Sequence, residues 1–237
     1  MKKHCLSLLA LLLCITAVAQ RNVRNPRRPS LNFGVQVMQP VGQFAETFEG
    51  YPAGFAGQFH FPIARSPIEI GLGAAWNSMG AKNEQVMVGT GVFDFMGDEI
   101  VSQGRMRLGS NNYRYTSMLR FRPFAGLIQP YAELVAGVET YSTTTRISMN
   151  DPAYQATPVR DVHQRDVGVT AGWAAGLALE LVDGISINGR FESLRGSEAT
   201  YVDGNTIALV NDQELRFETR TSATDKYTYT VGVTIRF

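Results

Sequence analysis

The sequence predicts an all-β fold, a transmembrane antiparallel up-and-down β-barrel of eight strands. Three observations support this prediction: residues alternate between apolar and polar at every second position, eight segments share the alternation, and their connections alternate between short and long. A strand with that period has one apolar and one polar face, and membrane barrels turn the apolar face outward. A soluble β-sandwich shows the same alternation within a strand but has no reason to alternate its connections.

The chain begins with the pattern of a cleaved secretory signal. Two lysines precede an apolar stretch that is too short for a transmembrane helix and ends in Ala17-Val18-Ala19, a small-x-small motif. We therefore predict a signal peptide over 1–19, with cleavage between Ala19 and Gln20.

Both cysteines of the chain, Cys5 and Cys14, lie in this predicted signal. We therefore expect neither a disulfide nor a thiolate metal site in the mature chain. Lipidation at Cys14 remains an alternative, although Leu13 occupies the position where a lipoprotein signal carries a small residue.

The charge balance argues against a nucleic-acid partner. The chain has 22 Lys and Arg against 21 Asp and Glu, and loss of the two lysines with the signal leaves a formal net charge of −1. Residues 20–30 form a basic, Pro-containing leader in the periplasm. We expect no metal and no cofactor, since the chain offers no cluster of His and Cys ligands.

Eight segments carry the alternation and make a barrel domain over 31–237, and each is near the roughly 9 to 11 residues that cross a bilayer at a tilt. They lie at about 31–39, 53–63, 68–80, 113–122, 131–142, 166–181, 185–195 and 226–237. The connections are short at 64–67, 123–130 and 182–184, and long at about 40–52, 81–112, 143–165 and 196–225. Such alternation is typical of membrane barrels, with the short turns and both termini in the periplasm.

The second long connection leaves the strand count open. Residues 86–95 and 99–108 flank Gly97-Asp98 as the two arms of a hairpin, and each arm is long enough to cross a membrane. We favour a hairpin that stands above the membrane, because its arms have only a thin apolar face. Ten strands remain the alternative.

Aromatic residues on the apolar faces segregate by strand end, as the two interfacial belts of a membrane protein do. Those near the short turns are Phe33, Phe61, Phe121 and Phe237, and those near the long loops are Trp76, Tyr113, Tyr115, Tyr227 and Tyr229. The general preference of aromatic residues for strands is the alternative explanation.

The opposite faces of the strands carry five acids and five bases. These candidate interior residues are Glu69, Arg114, Arg120, Arg122, Glu133, Glu139, Glu180, Arg190, Glu192 and Arg236. An eight-stranded barrel is just wide enough inside for side chains to fill, so we expect these charges to pair in a structural network. An ion path is the alternative.

We do not expect an enzyme. Lipid-modifying barrels use a His beside a Ser and a carboxylate, because the hydroxyl needs a base and the base needs an orienting group. The mature chain offers only His60 and His163, and neither is followed by a serine at a matching spacing.

The final strand carries the pattern that points to a family. Tyr229, Val231, Val233, Ile235 and the terminal Phe237 share one face, which resembles the assembly signal of bacterial outer-membrane barrels. In architecture the whole mature chain resembles the small porin-family barrels related to the membrane domain of outer membrane protein A. In contrast to that protein, we expect no peptidoglycan-binding domain after the last strand.

The resemblance implies the outer membrane of a Gram-negative bacterium, contacts with outer-membrane lipid and lipopolysaccharide, and insertion by the barrel assembly machinery. It implies no activity by itself. We expect a non-enzymatic barrel with an envelope-structural role, whose long loops, chiefly 81–112 and 196–225, meet an external ligand or an adhesion partner. A narrow transport barrel or porin for small solutes is the alternative.

Overall fold

The computed structural model describes residues 28–48, 50–63, 66–149, 159–202, 208–210, 214–216 and 218–237. The predicted signal peptide, with its cleavage site at Ala19 and Gln20, lies outside the described residues, as does most of the basic leader. Among the described residues, no helix has the length and apolar character needed to cross a membrane.

The described residues form strands and their connections, with one short helix. In chain order the elements are β1 (Ser30–Pro40), α1 (Gln43–Thr47), β2 (Ala53–Pro62), β3 (Ile68–Phe93), β4 (Glu99–Phe121), β5 (Ile128–Met149), β6 (Val159–Val182), β7 (Ile185–Gly196), β8 (Glu198–Val202), β9 (Ala208–Val210), β10 (Glu214–Arg216), β11 (Thr219–Ala223) and β12 (Lys226–Arg236).

Eight of these strands close into an antiparallel barrel in the order β1-β12-β7-β6-β5-β4-β3-β2. The seam between β1 and β12 runs from Ser30 opposite Arg236 to Pro40 opposite Lys226. Gly34 faces Gly232 across it, and a Cβ on Gly34 would lie 2.8 Å from the Gly232 Cα, so the two strands approach closely there. The prediction of an eight-stranded barrel is confirmed.

The alternative of ten strands is wrong, because β3 and β4 run on without a break where two further strands were considered. They stay paired from Ile68 opposite Phe121 up to Phe93 opposite Glu99, with bulges on the way, so the predicted hairpin is the upper part of these two strands. The third long connection is likewise largely strand, since β5 continues to Met149 and β6 begins at Val159.

The two ends of the barrel differ. At the end we call the turn end, β2 and β3, β4 and β5, and β6 and β7 are joined by short connections, the last being a tight turn at Gly184 with φ of 82°. At the loop end the chain forms α1, the β8–β11 hairpin, and an upward continuation of β3 to β6. We call this continuation, residues 80–93, 99–112, 141–149 and 159–166, the extension.

The barrel wall is apolar outside and polar inside. Along β1, Phe33 and Val35 are 63% and 58% exposed, whereas Asn32 and Gln36 are buried. The predicted aromatic residues lie on the outer face: Phe33, Phe61, Phe121 and Phe237 near the turn end, and Trp76, Tyr113, Tyr115, Tyr227 and Tyr229 toward the loop end. This polarity is the reverse of that in a water-soluble barrel.

Candidate functional site

A chain of ion pairs begins in the lumen near the turn end. Glu69 on β3 pairs with Arg122, the residue directly after β4, and the Arg120 guanidinium lies 3.8 Å from the same carboxylate. The Arg120 Nε also donates to Glu133 Oε1 on β5 at 2.5 Å. Two carboxylates and two guanidinium groups are thus linked across three strands, with all four side chains buried.

The same chain of ion pairs continues upward through β7. Arg190 Nε donates to Glu133 Oε2 at 2.8 Å, its Nη2 lies 2.7 Å from the same oxygen, and the guanidinium also pairs with Glu192. The second oxygen of Glu192 accepts from Arg114 Nη2 at 2.6 Å. Removing charges from water costs several kcal/mol per ion, and forked contacts of this kind offset that cost.

Three polar side chains at the turn end extend this series of ion pairs: Gln129, Glu180 and Arg236. Arg122 Nη1 donates to Gln129 Oε1 at 2.9 Å, and Gln129 Nε2 donates to Glu180 Oε2 at 2.6 Å. Arg236 on the final strand donates to Glu180 at 3.0 Å and to Gln129 at 2.6 Å. The Glu180 and Arg236 side chains are 24% and 10% exposed, so this group lies where the lumen begins to open to water.

A relay of amides extends the chain toward the loop end. Arg114 donates to Gln36 at 3.5 Å, and Gln36 Nε2 donates to Asn77 Oδ1 at 2.7 Å. Asn77 then donates to Asn112 at 3.4 Å, and Asn112 donates to the Glu139 carboxylate at 3.3 Å. We call the whole connected set, from Arg236 to Glu139, the lumen network. It contains all ten charged residues predicted for the interior.

Lys226, which was not among the predicted interior residues, contacts the lumen network at its loop end. Its side chain is fully buried and pairs with Glu139, and its Nζ also lies 3.2 Å from the Tyr141 hydroxyl and from the Thr224 carbonyl. The alternation did contain the signal, because Lys226 is two residues before Thr228 on the lumen side of β12.

His60 lies fully buried beside this network, with Nε2 3.5 Å from Glu133 Oε1. Within the described part of the chain, no hydroxyl donates to either ring nitrogen, and no group of three or more His, Cys, Asp or Glu could hold a metal ion. His163 belongs to β6, but its side chain lies outside the described part. The arrangement around His60 is that of a packed polar group rather than of a base poised against a nucleophile.

An aromatic cluster covers the lumen network at the loop end. Phe44 lies in helix α1 and Phe48 directly follows it, and the rings of both residues are buried. The Phe44 ring centroid lies 5.2 Å from that of Tyr201 and 6.3 Å from that of Tyr141. We call these four rings the mouth plug. The mouth plug was not among the predicted features, although the spacing of Phe44 and Phe48 in the 40–52 connection was a signal for it.

The mouth plug rests directly on the charged groups below it. The Tyr141 hydroxyl donates to Glu139 Oε2 at 2.8 Å, while the Lys226 ammonium lies 5.9 Å from the centroid of the same ring. Tyr141 therefore has an apolar ring in the plug and a polar tip in the network, a common use of buried tyrosine.

Above the barrel wall, β4 reverses the polarity of its two faces. On β4 the side chains of Met106 and Leu108 are buried on the lumen side, at 6% and 1% exposure, while Arg105 and Arg107 are exposed on the outer side. An apolar inner face and a charged outer face are what water outside the sheet demands.

The tip of the β3–β4 hairpin presents apolar side chains to the exterior. Phe93, Phe95 and Met96 are 64%, 93% and 74% exposed. The tip is ordered by Asp94, whose Oδ1 accepts from the backbone N–H groups of Met96 at 2.8 Å and Asp98 at 2.9 Å. An exposed apolar tip on a defined turn is the kind of surface that meets a partner.

No protein-family model and no curated protein matches this chain. Several solved structures do. The barrel resembles outer membrane protein OprG from Pseudomonas aeruginosa, with a TM-score of 0.47 and 14% identity over 90% of this chain and 97% of that one.

Two other solved barrels are similar at the same level. Neisserial surface protein A gives a TM-score of 0.43 and 6% identity over 90% of this chain and 100% of that one. Ail, the attachment invasion locus protein of Yersinia pestis, was solved with the heparin analogue sucrose octasulfate. It gives a TM-score of 0.41 and 11% identity over 89% of this chain and 97% of that one. Identities and scores this low do not indicate what the present chain binds.

Proposed function

We propose that this protein is a non-enzymatic outer-membrane β-barrel with an envelope-structural role, which presents its extension to partners outside the cell. The observation that carries the proposal is the lumen network beneath the mouth plug. Buried ion pairs connect the strands around the lumen, and aromatic rings cover them at the loop end. A barrel filled in this way is a rigid scaffold.

The polarity of the outer surface supports the membrane placement. The outward apolar side chains lie between one aromatic row at the turn end and another toward the loop end, as expected for the two interfaces of a bilayer. The reversal of polarity on β4 between Tyr113 and Arg107 then marks where hydrocarbon gives way to water. In this placement the turn end faces the periplasm and the extension faces outward.

The same proposal assigns export to the N-terminal segment and assembly to the final strand. A signal peptide cleaved between Ala19 and Gln20 directs export. The exposed row of Tyr229, Val231, Val233, Ile235 and Phe237 then presents the last strand to the barrel assembly machinery. The pairing of β12 with β1 at the seam supports this role, since the last strand closes the barrel.

A narrow transport barrel is the competing function, and conductance separates the two. Refolded mature protein is inserted into planar bilayers and single-channel current is recorded, with heat-modifiable gel mobility as the control for a closed barrel. We expect no stable openings, because a solute would have to break several buried ion pairs to pass. Stepwise openings from correctly folded protein would contradict a filled lumen and favour transport.

The envelope role needs a test in cells. A strain lacking the protein is compared with the same strain complemented by the wild-type chain or by a variant lacking the extension. We expect greater sensitivity to detergent in the deletion strain, and rescue by both chains if the barrel itself supports the envelope. Equal sensitivity of the deletion and wild-type strains would contradict a structural role.

A further inference from the structure

We propose that the outer face of the extension binds the phosphate groups of lipopolysaccharide in the surrounding outer leaflet. The site consists of four exposed arginines, which we call the arginine patch: Arg105, Arg107, Arg146 and Arg165. This inference rests on the membrane placement proposed above and adds a binding site and a ligand class to it.

The strand register places like charges side by side. Arg107 on β4 lies directly opposite Arg146 on β5, and Arg105 follows two residues farther up the same face of β4. Directly opposed residues in an antiparallel pair have Cβ atoms about 5 Å apart, and like charges at that distance destabilise the sheet. A sheet that carries such a pair on its surface is better stabilised when an anion lies between the two guanidinium groups.

The protein does not supply that anion within its described part. None of the four arginines pairs with another described side chain, and no described side chain on the outer face of the extension is acidic. The nearby acids face the other way. Glu84 lies on the lumen side, 2.8 Å from Lys82, and Asp166 accepts from the Thr200 backbone N–H at 2.6 Å.

The height of the arginine patch matches the polar layer of a membrane. Tyr113, Thr140 and Val167 form one row across β4, β5 and β6, and Arg165 lies on the same face of β6 two residues above Val167. Arg107 is six residues above Tyr113, which is about 20 Å along the strand and about 15 Å above that row at a typical tilt. The patch thus spans the depth of lipid head groups and their attached sugars.

The direction of the arginine patch favours a lipid of the same membrane over a soluble ligand. Arg105 and Arg107 share the outer face of β4 with Tyr113 and Tyr115, so they project sideways over the neighbouring lipid. Guanidinium groups bind phosphate through two parallel hydrogen bonds, and paired arginines provide two such forks. Lipopolysaccharide phosphates therefore match the patch in charge and in position.

The test measures lipopolysaccharide binding by the refolded mature chain in phosphatidylcholine nanodiscs. Wild type is compared with R107Q/R146Q and with a control, K82Q/R220Q, that removes two positive charges away from the outer face. Each protein is titrated with intact and with dephosphorylated lipopolysaccharide. Heat-modifiable mobility verifies that every variant is a folded barrel.

We expect the wild type and the control to bind intact lipopolysaccharide equally. R107Q/R146Q is expected to bind about tenfold more weakly, with the difference shrinking at high salt and disappearing for the dephosphorylated lipid. Equal binding by R107Q/R146Q and wild type overturns the proposal, as does equal binding of the dephosphorylated lipid.

A soluble polyanion is the competing ligand for the arginine patch, because it also carries anionic groups that guanidinium groups bind. Heparin and inorganic polyphosphate are titrated against the protein in zwitterionic micelles. Binding to them through Arg107 and Arg146 that is as tight as binding to lipopolysaccharide overturns the choice of a membrane lipid. A barrel that conducts ions contradicts the filled lumen but leaves the arginine patch unaffected. The outcomes that overturn the arginine patch are all binding results from a correctly inserted barrel, so the two failures can be told apart.

Discussion

Polar and apolar side chains alternate at every second residue in both the lower and the upper part of β4. The two parts differ in which face is polar. In the barrel wall, Arg114 points into the lumen at 4% exposure while Tyr115 faces out at 58%. In the extension, Leu108 is buried on the lumen side and Arg107 is exposed on the outer side. The period of two comes from the backbone, whereas the polarity of each face comes from the solvent it meets.

The two parts are consequently stabilised in different ways. The lumen of the barrel wall contains a small apolar cluster, Met118, Val135, Ala174 and Leu194. Otherwise it relies on charged groups that must be paired well, since an unpaired buried charge costs several kcal/mol. The loop end is stabilised by apolar burial, in the mouth plug and on the inner face of the extension. Variants in the two parts should therefore differ in the size and reach of their effects.

The largest effect is expected in the lumen network. Glu133→Ala leaves both Arg120 and Arg190 without their shared carboxylate, and we expect it to lower the free energy of unfolding by about 3–5 kcal/mol. Arg120→Ala should act in the same direction. The measurement is urea unfolding in detergent micelles, with the barrel followed by its gel mobility.

Glu218→Ala is the matched control for that experiment. Glu218 pairs with Arg220 at 3.0 Å, but the two side chains are 67% and 41% exposed, so its removal should cost at most about 1 kcal/mol. Similar unfolding curves for Glu133→Ala and the wild type would show that the lumen charges do not support the barrel.

The next effect tests where the solvent changes along one strand. Leu72 and Met87 are both exposed on β3, at 60% and 48%, one in the barrel wall and one in the extension. Leu72→Arg should destabilise the barrel by about 2–4 kcal/mol, because it places a charge in hydrocarbon near the middle of the membrane. Met87→Arg should change the unfolding free energy by less than about 0.5 kcal/mol. Equal costs at the two positions, measured by unfolding in lipid bilayers, would contradict the proposed boundary.

A smaller effect on the barrel is expected from the mouth plug. Phe44→Ala removes the ring that contacts Tyr141 and Tyr201. We expect a cost of about 2 kcal/mol, below the 3–5 typical of an interior Phe, because α1 at the mouth can swing outward and let water in. Cleavage by a glutamate-specific protease at Glu46 should accelerate while barrel mobility stays unchanged. A cleavage rate equal to that of the wild type would show that the plug does not fix α1.

Much of this fold could be predicted from the sequence, because alternation is visible wherever the two faces of a strand meet different solvents. The eight strands of the barrel wall, such as 226–237, stand out for that reason. The extent of β3 and β4 could not be predicted in the same way, since in the extension the outer face turns polar and the alternation weakens. Residues 81–112 were predicted as a long connection with a hairpin at 86–95 and 99–108. The unbroken course of β3 and β4 through this region appears only in their pairing with each other and in the pairing of β4 with β5.

The lumen network could likewise be predicted only in part from the sequence. Charged residues on the lumen face could be identified by counting along each strand, but their partners depend on how strands distant in sequence face each other across the barrel. Arg190 and Glu133, for example, are 57 residues apart. The only sequence signal for the amide relay through Gln36 and Asn77 is their position in the alternation. Neutral polar residues on a strand occur equally on a face that contacts water.

The smallest effect is expected at the tip of the extension. Asp94→Ala removes two hydrogen bonds from its carboxylate to the backbone N–H groups of Met96 and Asp98. We expect a local cost of about 1 kcal/mol, seen as faster hydrogen exchange at those two amides, with no change in barrel unfolding. Phe95→Ala, at a side chain 93% exposed in the same turn, should leave both exchange rates unchanged. A lower barrel stability in Asp94→Ala would mean that the extension and the barrel wall unfold as one unit, and the contrast between them would then be one of polarity alone.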